Sequence, residues 1–341
     1  MGGGGTWGDH DVRPAAPGKD YSQEAEKVFE QVKRIDPSMD PKKRTLRTAC
    51  KHPIVLALDG TGSMGKLPKI FIDKEAMVAC QLTEQGYLPG AQTEARISFA
   101  IIGDAETDAA PLQVADFCTT RETGVQTRRL WLEGGGGANK VESYQLAAYF
   151  YARHCRIAED AVPFFIFTGD EGFYDTLYAR DIAATFGDTV QGNLETKEVF
   201  AELLRNFRGN VFLVHRPYVS EGCPSDREVL QQWEGVLGKE RIVILREDRA
   251  IADMILGILA LRGGARTLDE YCEDMRSGRR NLDTGAVEPQ DEKRIALVRQ
   301  ALEGIARLGP AEGMQRARPA APAPPSAVTP TGRRTKKDHQ V

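Results

Sequence analysis

Apolar and polar residues alternate in blocks through the middle of the chain. The run IVLAL at residues 54–58 is apolar at every position, the pattern of a strand buried on both faces. Next, Ile70, Met77, Val78 and Leu82 are spaced to give a helix at 69–85 one buried side. The alternation continues with strands at 96–102 (RISFAII) and 111–117 (PLQVADF), then helices at 122–132 and 141–154. A strand at 163–167 (PFFIF), a helix at 195–207 and a strand at 210–215 (NVFLVH) follow. The pattern closes with a helix at 226–237, a strand at 241–245 (RIVIL) and a helix at 250–261. Apolar strands alternating with helices predict an α/β fold, a doubly wound and mostly parallel six-stranded sheet with helices on both faces. The short link between the second and third strands permits an antiparallel edge there.

The flanks read differently. Residues 1–52 form an N-terminal extension with a glycine run, Pro14, Pro17, Pro37 and Pro41, expected to be loosely structured around one helical candidate at 21–34. Residues 53–262 carry the α/β pattern, and 263–308 hold a charged segment (267–289) and a helix at 291–308 expected to pack on the domain as an appendage. Residues 309–341 are rich in Pro and Ala and close with Arg333, Arg334, Lys336 and Lys337. So few apolar residues predict a disordered basic tail, able to touch nucleic acid or an acidic partner only weakly.

Composition narrows the classes. At 341 residues, 41% hydrophobic and 28% charged, the chain reads as an ordinary globular protein, and a net charge of −4 argues against a body built to coat nucleic acid. Cys50, Cys80, Cys118, Cys155, Cys223 and Cys272 form no C-x-x-C pair, as expected for reduced thiols in a cytoplasmic protein. The opening MGGGGTWGDHDV lacks a cationic stretch followed by an apolar run, so no secretory signal is expected. No run of about 18 uncharged apolar residues suggests a membrane span.

The candidate chemistry lies in LALDGTGSMGK, residues 56–66. From Gly60, the segment GTGSMGK matches the G-x-x-x-x-G-K of a phosphate-binding loop. From Asp59, the same letters spell D-x-T-x-S, a row of hard oxygen ligands. Three details oppose phosphate. Leu67 stands where a magnesium-holding Ser or Thr is needed, Asp59 abuts the loop with a repelling charge, and Thr168 and Gly169 displace the acid of the fourth strand from that strand's end. The metal reading places Asp59, Thr61 and Ser63 in a turn that Gly60 and Gly62 permit, with Asp170 arriving from the fourth strand and Gly172 letting the chain turn away. Oxygen donors of this kind suit Mg²⁺ or Mn²⁺.

LALDGTGSMG followed by FIFTGDEG, together with the order of strands and helices over about residues 53–262, resembles the von Willebrand factor A domain family and its metal-ion-dependent adhesion site (MIDAS). The resemblance implies that Asp59, Thr61 and Ser63 hold the ion, that Asp170 acts directly or through water, and that a partner's carboxylate takes the open position. One departure stands out. The family's third loop supplies a threonine in a G-G-T setting, whereas GGGGANKVESYQLAAY at 134–149 has none. Counting back from Ala147 and Ala148, the pair expected to pack the helix, Glu142 falls at the threonine's place, with Ser143 and Asn139 as alternatives. An exposed place for Glu142 in a helix's first turn is the competing reading. As a ligand, Glu142 would bring a third negative charge, strengthening cation binding and favouring a neutral oxygen over a carboxylate from the partner.

Asp104, just past the second strand, is either a contact to the ligands from outside or an exposed loop acid. His52, His154 and His215 are solitary and read as packing or surface residues, and no nucleophilic triad is visible. The resemblance therefore implies a cytoplasmic, metal-dependent protein-binding module. Such a module recruits a protein partner, and intracellular bacterial relatives work beside AAA+ ATPases. Two other readings remain: a metal-assisted phosphohydrolase using Asp59, Glu142 and Asp170, with Glu171 or Asp104 as base, and a scaffold whose metal site is vestigial.

Overall fold

Six strands, β1 (His52–Asp59), β2 (Ala95–Ile102), β3 (Leu112–Val114), β4 (Phe164–Gly169), β5 (Val211–His215) and β6 (Ile242–Ile244), form one sheet in the order β3-β2-β1-β4-β5-β6. The structure is a computed structural model that describes residues 34–135, 140–218, 220–280 and 287–314. The helical candidate at 21–34, but for its last residue, the tail beyond residue 314 and Asn139 lie outside the described residues. All pairings in the sheet are parallel except β2 with β3, the antiparallel edge that the short link permits.

Alternation along the central strands divides the core into two layers. Ile54, Leu56, Leu58, Phe164 and Ile166 point to one face, and Val55, Ala57, Phe165 and Phe167 to the other. The main helices are α1 (Leu67–Glu84), α2 (Tyr144–Arg153), α3 (Ala179–Phe186), α4 (Thr196–Asn206), α5 (Pro224–Leu237), α6 (Ile251–Arg262), α7 (Leu268–Ser277) and α8 (Glu292–Leu308). Buried residues of α1, α6, α7 and α8 cover the first face, and those of α2, α3, α4 and α5 the second. Among the described residues no helix is long and apolar enough to cross a membrane.

Several expected elements change where side chains compete for the backbone. The strand expected at 111–117 shortens to Leu112–Val114, and the helix expected at 122–132 to Thr123–Thr127. Buried Gln113 explains the second case. Its amide donates to the Trp131 carbonyl at 2.7 Å and accepts from the Trp131 N–H at 2.8 Å, which pulls residue 131 onto the sheet edge and out of a helix. The helix expected at 141–154 begins only at Tyr144, because Val141–Glu142 pairs in parallel with Gly172–Phe173 and the Ser143 N–H donates to the Gly103 carbonyl at 3.1 Å. The charged segment contains α7, started by a capping box in which Thr267 Oγ1 accepts from the Glu270 N–H and Glu270 Oε2 from the Thr267 N–H.

Helix α8 shares the first-face core. Ile295, Val298, Leu302 and Ile305 are buried there, and a Cβ on Gly257 of α6 would overlap Leu302. Buried Arg294 joins α8 to α6, its Nε donating to Asp253 Oδ2 at 2.9 Å.

Candidate metal centre

Strand order reverses between β1 and β4, and ligands of doubly wound sheets gather beyond the carboxyl ends of strands at such a point. Leu58 stands opposite Thr168, so Asp59 and Asp170 leave the sheet as neighbours. The loop after β1 is held close. The Gly60 N–H donates to the Ile102 carbonyl at 2.8 Å and the Gly62 N–H to Gly135 at 2.7 Å. A Cβ on Gly62 would stand 3.0 Å from the Gly134 carbonyl oxygen and 3.3 Å from that of Gly135, so a side chain there would press these two loops apart. Met64 is buried and anchors the short turn Gly62–Met64, while Lys66 is exposed.

Four of the expected ligands form one hydrogen-bonded row. Asp59 Oδ1 accepts from the Thr61 N–H at 2.9 Å and from Thr61 Oγ1 at 2.5 Å. Thr61 Oγ1 lies 3.2 Å from Ser63 Oγ, which donates to Asp170 Oδ1 at 2.9 Å. Asp59 and Asp170 are fully buried and Ser63 is half-buried. Buried Asp170 Oδ2 has no hydrogen-bond partner among the described residues. Among the described residues Arg216 is the cation beside it, with Nη1 3.7 Å from Asp170 Oδ2 and Nε donating to Asp248 Oδ1 at 3.0 Å.

Glu142, the fifth expected ligand, is 1% exposed, which rules out its reading as a surface residue. Its carboxyl is hydrogen-bonded to that of Glu171, itself buried, and the Oε2 atom of each has no further partner among the described residues. Two carboxyls in one hydrogen bond need a proton between them. Burial, and then the charge of Asp59, raise Glu142, and burial raises Glu171, so the pair holds a proton between them. The alternative Ser143 faces the other way, its Oγ accepting from the Ala105 N–H at 2.9 Å and lying 3.5 Å from Asp104 Oδ1. Asp104 is fully buried rather than an exposed loop acid, and it accepts from the Tyr174 hydroxyl at 2.9 Å.

The charges are poorly balanced. Burial, and then the neighbouring Asp59, push Asp170 up to about 8. Burial also raises Asp59, against the donors Thr61 and Tyr144 that lower it. A divalent cation in this place would offset that cost directly. Among the described residues, no three or more His, Cys, Asp or Glu side chains gather as a metal-holding group. The row therefore offers two carboxylates and two hydroxyls, all hard oxygens. Such a set fits a cation that keeps several waters, as Mg²⁺ does.

Two residues at this centre carry no sequence signal. Arg216 follows the last residue of β5 and reads as an ordinary loop arginine. Tyr144 reads as a helix core aromatic, and it does pack edge-on against Phe167 and Trp233, with ring centroids 6.0 and 5.1 Å away. Yet its hydroxyl also donates to Asp59 Oδ2 at 2.5 Å. Gly169 makes room, since a Cβ there would overlap that hydroxyl. Gly169→Ala is accordingly expected to destabilise the protein by about 1–3 kcal/mol, the cost of overpacking. A shift of the urea midpoint at unchanged slope is the check. Two of the histidines read as solitary have aspartate partners instead: His215 Nε2 lies 2.7 Å from buried Asp226 Oδ1, and His154 Nε2 lies 2.7 Å from Asp188 Oδ2.

No protein-family model matches the chain, and no curated protein does. Solved structures with a similar backbone course include the pilus adhesin SpaC from Lactobacillus rhamnosus GG, at 8% identity and a TM-score of 0.46, over 64% of this chain and 32% of that one. Proximal thread matrix protein 1 from the mussel byssus matches at 9% identity and a TM-score of 0.41, over 64% and 48% of the two chains. The same mussel protein with a zinc-occupied MIDAS motif matches at 10% identity and a TM-score of 0.41, over 63% and 49%. This chain thus spans only about a third of the adhesin and half of the mussel protein.

Proposed function

We propose that the chain is a divalent-cation-dependent protein-binding module, with Asp59, Thr61, Ser63 and Asp170 holding Mg²⁺ or Mn²⁺ at the carboxyl edge of the sheet. The observation that carries this reading is the row itself. Two fully buried acids are joined through two hydroxyls, and a buried oxygen of Asp170 has no hydrogen-bond donor among the described residues. A buried carboxylate oxygen that accepts no hydrogen bond and has only a half-buried arginine 3.7 Å away is costly, and a closely held cation is the partner whose chemistry answers it. When bound, the ion supplies a positive charge and coordination positions open to a second molecule.

The partner in this reading is another protein. Asp59 and Asp170 already match the charge of a divalent ion, and buried Glu142 and Glu171 lie close by. A further carboxylate is therefore weakly attracted, and the partner's contact to the ion is a neutral oxygen, a hydroxyl or amide. Calorimetric titration with Mg²⁺ and Mn²⁺, on wild type and on Asp59→Ala, tests the site. Retention of a protein from lysate that requires the cation and is lost in Asp59→Ala tests the role. Turnover of phosphate esters with Mn²⁺, lost in the same variant, would replace this reading with the phosphohydrolase.

A further inference from the structure

We infer that Tyr144 is a positioning residue for the cation, fixing Asp59 at the oxygen that Thr61 does not reach, through the hydroxyl that the first residue of α2 sends to the row. The inference rests on the reading of the row as a cation site. An ionised carboxylate has about four acceptor directions, two on each oxygen. In Asp59, Oδ1 uses two of them on the N–H and hydroxyl of Thr61, and Oδ2 uses one on the Tyr144 phenol at 2.5 Å. One direction remains, on Oδ2. The plane of the carboxylate, and so the line along which that last direction points, is held from both ends.

The phenol is itself rigid. Tyr144 is fully buried, its ring lies edge-on to Phe167 and Trp233, and its hydroxyl occupies the space where Gly169 has no side chain. A hydrogen bond from a locked donor orients a ligand more strongly than one from a mobile side chain, and losing such outer support typically costs about 10–100-fold in metal affinity. The geometry also accounts for the missing threonine. A hydroxyl comes two residues after Glu142, from the first residue of α2, and donates to Asp59 Oδ2.

The test is calorimetric titration of Mn²⁺ into the full chain as wild type, Tyr144→Phe and Phe200→Leu, with thermal midpoints measured in EDTA. Phe200 packs on Trp233 and Phe167, so its variant loosens the same aromatic cluster while leaving the hydroxyl in place. The expected result is a split. Tyr144→Phe weakens Mn²⁺ by about tenfold or more, whereas Phe200→Leu lowers the midpoint with an unchanged dissociation constant. Equal affinity in wild type and Tyr144→Phe overturns the inference and leaves the cation site standing. Equal loss of affinity in both variants assigns Tyr144 to packing and overturns it too, as does failure of Tyr144→Phe to fold. Absence of Mn²⁺ binding in wild type removes the site and the inference together.

Discussion

Millimolar Mg²⁺ or Mn²⁺ at pH 8 is expected to raise the thermal midpoint of the wild-type chain and to leave Asp170→Asn unmoved. A ligand that binds only the folded state stabilises it by about 2.7 kcal/mol when present at roughly a hundredfold its dissociation constant. Asp170 contributes a buried carboxylate to the row, one of whose oxygens has no hydrogen-bond donor among the described residues. The amide of asparagine keeps the shape and removes the charge. In EDTA the same variant is expected to be more stable than wild type, because the cost of burying this charge beside Asp59 disappears. The two signs together are diagnostic. A purely structural Asp170, kept for its bond from Ser63, would make Asp170→Asn less stable in EDTA. Thermal melts of both proteins with and without cation decide it.

The second large effect is a pH dependence of unusual sign. Asp170 is pushed up to about 8 from an ordinary carboxylate, first by burial and then by Asp59. Burial also pushes Glu171 up to about 7. A raised acid holds its proton in the folded state where the unfolded chain would release it. Its stabilising contribution is therefore complete below about pH 4 and is lost as pH rises through 7 and 8. Each such proton gives a slope of about 1.4 kcal/mol per pH unit at most. Glu202, held down by Arg153, acts oppositely near pH 4 and below. Buried His52 and His215, whose charged forms burial disfavours, act oppositely as pH rises through about 6.5, so the fall is steepest above that. Urea unfolding in EDTA should thus show stability falling between pH 5 and 8, by several kcal/mol if both groups act. Saturating Mg²⁺ should flatten or reverse that slope, because a cation favours the ionised carboxylates. A slope that Mg²⁺ leaves untouched would mean that the titrating acids do not meet the ion.

The five residues proposed from sequence divide along physical lines. Asp59, Thr61 and Ser63 are close in the chain, so a single turn decides whether their oxygens share a side, and glycines at 60 and 62 announce that turn. Asp170 was legible because an apolar strand and its following acid are local features too, and parallel neighbours bring strand ends together. Glu142 was placed by counting along a loop, and the count says nothing about what the side chain meets. It meets Glu171, an acid that a sequence reading treats as a repulsion rather than as a shared proton. Helix α7 could have been found, since its capping box is written as Thr267-Leu-Asp-Glu270.

What the chain determined by itself is the sheet and its edge. Uninterrupted apolar runs such as 54–58 and 163–167 are stable only when covered on both faces, and that requirement alone forces the layered α/β arrangement. Tertiary structure alone decided what surrounds Asp59 and Asp170. Tyr144 stands 85 residues after Asp59 and reaches it because α2 packs on the second face of the sheet, and Arg216 stands 46 after Asp170 and reaches it because β4 and β5 lie side by side. Local patterns report burial, which each residue carries in its own chemistry. The partner of a buried charge is a property of the packed neighbours, and no single stretch of sequence contains it.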